Sequence, residues 1–304
     1  MKKLILSILA IAAMTSCTKS SDEEIDPNAP VEIKMNAKIE TTVALGRSAV
    51  NQLSEATLTD FAFFRADGDQ EGTNLDWTSE PLNAGVETDG TIKFTPTQYY
   101  NPVATIYAHF IGIYPKSAGS IATGKFTFTA EQVNKGQTDI MYATKVSGNK
   151  NKNDNLAIKF DHTLSQLKFK FAKGNSFTST SATVTSITIK GTKLPKEMDI
   201  LTGDITYNDA AEDIELTFTT NNTIGGATAP TEVIMIDPNS TNIKADITIQ
   251  DGESTLTFEN IAINVTPDKG ESNEIELTFE QKEVSGQASI TEWTIGAGGT
   301  GIVM

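Results

Sequence analysis

Residue types that carry chemistry are scarce in this chain, which has two histidines and one cysteine among 304 residues. His162 has Asp161 directly before it and Ser165 three positions after it, so all three members of a hydrolytic triad lie close together. They fall within FDHTLSQLKFKF, where apolar residues come to alternate with polar ones. Neighbours in an extended strand point to opposite faces, whereas a triad needs its base between nucleophile and acid. The spacing therefore predicts a histidine bonded at the start of a strand, and no enzyme. Zinc centres draw three or four ligands from His, Cys and carboxylates. With His109 and His162 far apart and the cysteine otherwise used, no metal centre and no cofactor are expected.

Two motifs match patterns without their physical context. DGDQEG begins like a calcium loop, with Asp67, Asp69 and Glu71 at alternate positions and Gly72 sixth. The closing bidentate Glu is missing, because Thr78 stands there, so an acidic turn is the expectation. GAGGTG, Gly296 to Gly301, satisfies the dinucleotide fingerprint letter for letter. That motif works by placing a pyrophosphate on a helix N-terminus, and only Ile302, Val303 and Met304 follow it here. Trp77, Trp293 and the tyrosines could offer sugar-stacking faces, which leaves a monomeric glycan-binding surface lipoprotein as the alternative function.

The cysteine has a more specific setting. Lys2 and Lys3 precede the apolar run LILSILAIAAM, then come Thr15, Ser16 and Cys17. Eleven helical residues reach only ~16 Å, about half of a hydrocarbon core, so residues 1–16 read as a cleaved signal peptide. A cysteine at that place matches the lipobox of bacterial lipoproteins, in which the thiol is acylated and holds the protein on a membrane. SDEE, Ser21 to Glu24, resembles the signal that sends such lipoproteins to the outer face of the outer membrane in Bacteroides-like bacteria. With Cys17 lipidated, no disulfide can form. A net charge of −15 argues against nucleic acid and anionic headgroups as partners.

The elements that would position any site are strands. Apolar residues recur at every second position in Val31, Ile33, Met35, Ala37 and Ile39, and again in Leu167, Phe169 and Phe171, Ala245, Ile247 and Ile249, and Ile275, Leu277 and Phe279. Thr and Lys mostly fill the alternate places, so each strand has a core face and a water face. Turn sequences such as TDGT and QDGE separate the runs. The chain beyond Cys17 is long enough for two domains at ~150 residues each. SGNKNKNDN, Ser147 to Asn155, has no apolar side chain and is the expected linker, dividing residues 31–150 from 151–304 after a lipidated tether at 17–30.

Four stretches carry a resemblance across most of the chain: TDIMYAT from Thr138, FDHTLSQLKFKF from Phe160, SITIKG from Ser186, and NEIELTFEQKEVSGQASITEWTIG from Asn273. In this order and spacing they resemble the fimbrillin-like family, the lipoprotein subunits of type V pili in Bacteroides-like bacteria. The resemblance implies an all-β fold of two tandem transthyretin-like β-sandwich domains. It implies a surface-exposed fimbrial subunit or tip adhesin at the cell outer membrane, with other pilus subunits, the membrane and host or bacterial surface ligands as partners. It also implies trimming after an arginine that follows the first strand. The matching bond joins Arg47 to Ser48 in ALGRSAV. Loss of the first strand, carrying Val31, Ile33, Met35, Ala37 and Ile39, would open a groove for a strand of the next subunit. In the family that strand comes from the C-terminal segment. TIGAGGTGIVM after Trp293 is short and rich in glycine, a weak donor, which points to a tip, adhesin or accessory role.

Overall fold

The computed structural model describes residues 29–39, 59–73, 75–78, 80–122, 124–129, 136–230, 232–280 and, as backbone, 284–290. The described residues from Val31 onward belong to one compact body. The described residues are almost wholly strand and turn, as the alternation predicts; one short 3-10 turn lies at Lys116–Ala118.

In the first half the strands are β1 (Met35–Ile39), β2 (Ala62–Gly68), β3 (Ala84–Val86), β4 (Thr91–Phe94), β5 (Tyr107–Tyr114), β6 (Gly119–Ala122), β7 (Lys125–Phe128), β8 (Met141–Gly148) and β9 (Leu156–His162). The second half holds β10 (Ser165–Lys173), β11 (Thr183–Thr192), β12 (Pro195–Asp199), β13 (Ile205–Tyr207), β14 (Glu212–Thr217), β15 (Val233–Ile236), β16 (Lys244–Asp251), β17 (Ser254–Ala262), β18 (Ser272–Phe279) and β19 (Val284–Ile290).

A seven-stranded sheet runs β2-β5-β8-β9-β1-β4-β3. It curls, because the chain entering β3 also touches the far edge: Leu82 bridges Phe63 of β2, and Thr78 donates to the Arg65 carbonyl. One face encloses a core that includes Met35, Phe61, Phe63, Phe110, Ile158 and Phe160. Two four-stranded sheets, β15-β10-β18-β19 and β14-β11-β16-β17, pack face to face over a second core. Phe169 and Phe171 of β10 meet Phe218 edge-on within it, the favoured geometry for aromatic pairs.

Two features differ from the sequence expectation. Ser147–Asn155 is no linker: it closes the β8–β9 hairpin, with Asn149 bridging Lys152 and Asn149 Oδ1 accepting the amides of Asn151 (3.0 Å) and Lys152 (2.8 Å). Its polarity is that of a side-chain-capped turn. The chain instead changes sheet at Thr163 and Leu164, between β9 and β10. The two halves are also stitched together. In the sheet β13-β12-β7-β6, Met198 of β12 pairs with Phe126 of β7. A third core beneath it draws Phe64 and Ile113 from the first half and Met198 and Met235 from the second.

Candidate functional site: the central first strand

The alternation in VEIKMNAKI dictates a strand with one apolar face. Ile33, Met35 and Ala37 are buried and Ile39 nearly so, all within the first core, with Val31 packed against it. Lys34 and Lys38, between them, face water.

Although first in the chain, β1 is not an edge. It pairs in parallel with β9 over five residues, from Met35↔Leu156 to Ile39↔Phe160. On its other side it is antiparallel to β4, with Met35↔Ile92 and Asn36↔Thr91. The extended chain before it is held too: Ile33 donates to the Gln98 carbonyl (2.9 Å), and the Val31 carbonyl accepts from Tyr100 (2.9 Å). Ala37 donates to the Gly90 carbonyl (2.8 Å). That carbonyl is presented by the TDGT turn, in which Gly90 takes φ +89°, a conformation open to glycine. Burying Ile33, Met35 and Ile39 contributes ~5–9 kcal/mol at ~1.5–3 kcal/mol per large side chain. Folded domains are stable by only ~5–15 kcal/mol in all. Without β1 the body would expose an apolar slot between two unpaired strand edges.

Cys17, Arg47 and Ser48 lie outside the described residues, as do Trp293 and the GAGGTG segment. The other arginine in the sequence, Arg65, sits in β2 and is pinned. Its guanidinium forks onto both Asp67 carboxylate oxygens (2.8 and 3.0 Å) and donates to Gln98 Oε1 (3.0 Å) and the Tyr99 carbonyl (2.9 Å). A protease needs its target bond in a free, extended segment, and Arg65 offers none.

The remaining candidates take structural roles. His162 Nδ1 lies 2.9 and 3.0 Å from the two carboxylate oxygens of Asp139, both residues being buried. Asp161 points the other way, toward Lys159 (3.5 Å), and Ser165 Oγ accepts from Asn273 (3.1 Å). The triad is not assembled. Asp139 lies 23 residues before His162, and the pairing of β8 with β9, in which Met141 stands opposite His162, brings the two together.

Both aspartates of DGDQEG are equally committed. Asp67 holds Arg65, Asp69 Oδ1 caps the Gly72 amide (2.7 Å), and the Glu71 carbonyl accepts from Lys145 (2.9 Å). No cluster of potential metal ligands occurs among the described residues. This turn folds over His109, which is fully buried and donates from Nε2 to the Asp69 carbonyl (2.7 Å). Burial holds the His109 imidazole below the ordinary histidine range, and Lys145 adds to that, against the pull of the Asp69 carbonyl and carboxylate and of Asp67. Sequence reasoning had no signal for this pairing, which depends on β5 and the turn meeting. Trp77 is half-buried against the third core. Tyr99 is the one aromatic among the well-exposed large hydrophobic residues described, so no stacking face is gathered.

This architecture is that of fimbrial and cell-adhesion proteins. A proposed cell adhesion protein from Bacteroides uniformis shares it at a TM-score of 0.60 and 16% identity, with 86% of this chain and 98% of that one aligned. A proposed cell adhesion protein from Bacteroides ovatus does so at 0.58 and 14%, over 88% and 100%. A fimbrial protein from Bacteroides vulgatus follows at 0.56 and 15%, over 86% and 99%. No curated protein sequence matches the chain. The chain belongs to the fimbrillin-like family, whose sequence profile matches residues 47–293. Its class is therefore that of a pilus or adhesion subunit at the cell surface, a structural role.

Proposed function

We propose that this chain is a non-enzymatic, surface-exposed outer-membrane lipoprotein, acylated at Cys17, that joins a fimbrium by exchanging β1 for a strand of a neighbouring subunit. Cleavage between Arg47 and Ser48 frees the segment that carries β1. A neighbour's strand then fills the slot, its backbone completing the ladders to β9 and β4 and its alternate side chains replacing Ile33, Met35, Ala37 and Ile39. The curled sheet and the sandwich act as the tandem domains, divided at Thr163 and Leu164.

The observation that supports this best is that an N-terminal strand, joined to the body by a segment bearing an arginine, sits in the middle of a sheet with its inward side chains buried. The pinning of Arg65 adds to it, since an arginine-specific protease would have Arg47 as its remaining target.

Arginine-specific digestion of the full chain should cut once, at Arg47, and produce SDS-resistant oligomer ladders. Arg47→Ala should yield neither. Monomer that persists after verified cleavage counts against exchange. Cys17→Ser should release the protein from membranes; unchanged partitioning with membrane would defeat the lipid anchor.

A further inference from the structure

The ladder between β1 and its β4 neighbour is interrupted. Met35 pairs with Ile92, and the next hydrogen bond toward the N-terminus runs from Ile33 to the Gln98 carbonyl. Two residue steps from Met35 back to Ile33 thus face six on the opposite chain. The surplus stays with β3 instead, where Phe94 pairs with Ala84 and Thr95 donates to the Asn83 carbonyl (2.8 Å). A groove of about 580 Å³ opens in the gap. Ile33, Met35, Ile92 and Phe94, all buried core residues, line its depth. Lys34, Lys93, Thr95 and Thr97 stand exposed around its mouth.

We infer that this groove is where an incoming strand first engages, before β1 has left. The inference rests on the strand-exchange reading. Replacing a central strand in one step would require both of its ladders to break before any new contact formed. The groove removes that requirement, because β1 already stands apart from residues 93–97 while its five-residue ladder to β9 remains intact.

The occupant is an extended segment with apolar residues at alternate positions. The groove's apolar residues come from two extended segments at a spacing of two, Ile33 and Met35 on one and Ile92 and Phe94 on the other, which fits a pleated chain. The groove is also continuous with the β1 slot, so an occupant that lengthens along it takes the place of β1. At the mouth Lys34 stands beside Glu32 and Lys93 pairs with Glu87 (3.0 Å), so the charges there offset one another and the apolar lining is what selects the occupant.

The test uses the full chain cut at Arg47 and a fluorescent peptide of residues 31–39, VEIKMNAKI, which has the sequence the slot accepts. Thr95→Trp and Thr97→Trp each fill the mouth from an exposed position, and Thr257→Trp, exposed on β17 of the sandwich, serves as control. Peptide should enter both mouth variants about tenfold or more slower than wild type, within the range over which mutations change association rates. Cleavage and melting midpoint should stay unchanged, and the control should match wild type. Equal entry rates in all four proteins would overturn entry through the groove while leaving β1 replaceable. Failure of the peptide to enter even wild type would end the strand-exchange reading and this inference with it.

Discussion

Met35 is the residue at which the role of β1 can be measured most directly. It is 1% exposed, opens β1 with β9 paired on one side and β4 on the other, and packs in the first core. Truncation of a buried Met, Leu or Ile to Ala costs ~2–5 kcal/mol, from lost transfer energy plus the cavity left behind. Met35→Ala should therefore lower the urea midpoint of the uncut protein substantially, followed by circular dichroism. Lys38→Ala, on the water face of the same strand, should stay within ~0.5 kcal/mol of wild type. After cleavage at Arg47 the loss moves from folding to retention. At 1.4 kcal/mol per factor of ten, the N-terminal fragment should be held from about thirtyfold to several thousandfold less tightly, measured as fragment released on gel filtration. A Met35→Ala protein as stable as the Lys38 variant would show that β1 does not carry the core, and the case for a replaceable strand would fail.

Acid should expose the cost of burying His109. Its folded pKa lies below the ordinary value of about 6.5, so between the two the unfolded chain binds the proton more readily. Stability from this group is full above about pH 6.5 and is lost as pH falls toward the folded value; His109→Gln should flatten that part of the profile in urea titrations at pH 7.5 and 5.5. His162→Ala, which removes a hydrogen-bond partner of buried Asp139, should cost ~1.5–3 kcal/mol by the same assay. Ester or peptide hydrolysis that depends on His162 would contradict its structural assignment.

The strands of this fold were legible in the sequence because a two-residue period records which side chains meet a core. Val31 to Ile39 read correctly as an inward-facing run, and Leu167 to Phe171 did as well. What the period does not record is the identity of the neighbouring strand. The parallel contacts of β1 with β9 and of β10 with β18 join segments more than a hundred residues apart. The pairing of β7 with β12 across the two halves was equally invisible. Composition misled at Ser147–Asn155, since a capped hairpin turn and a linker are both polar and differ only in what their ends touch. The histidines behaved alike: the alternation excluded a triad around His162 but could not name Asp139, and nothing near His109 announced the turn that covers it.

The slot held by β1 has a direction. Its occupant lies parallel to β9 and antiparallel to β4. A substitute that repeats those bonds enters pointing one way, and donor and acceptor surfaces are then different parts of the molecule. Association of that kind does not close on itself as a twofold pair does. A fibre built through this slot would have two unlike ends, one carrying an empty slot and the other an unused strand, and would lengthen by the same reaction at every step.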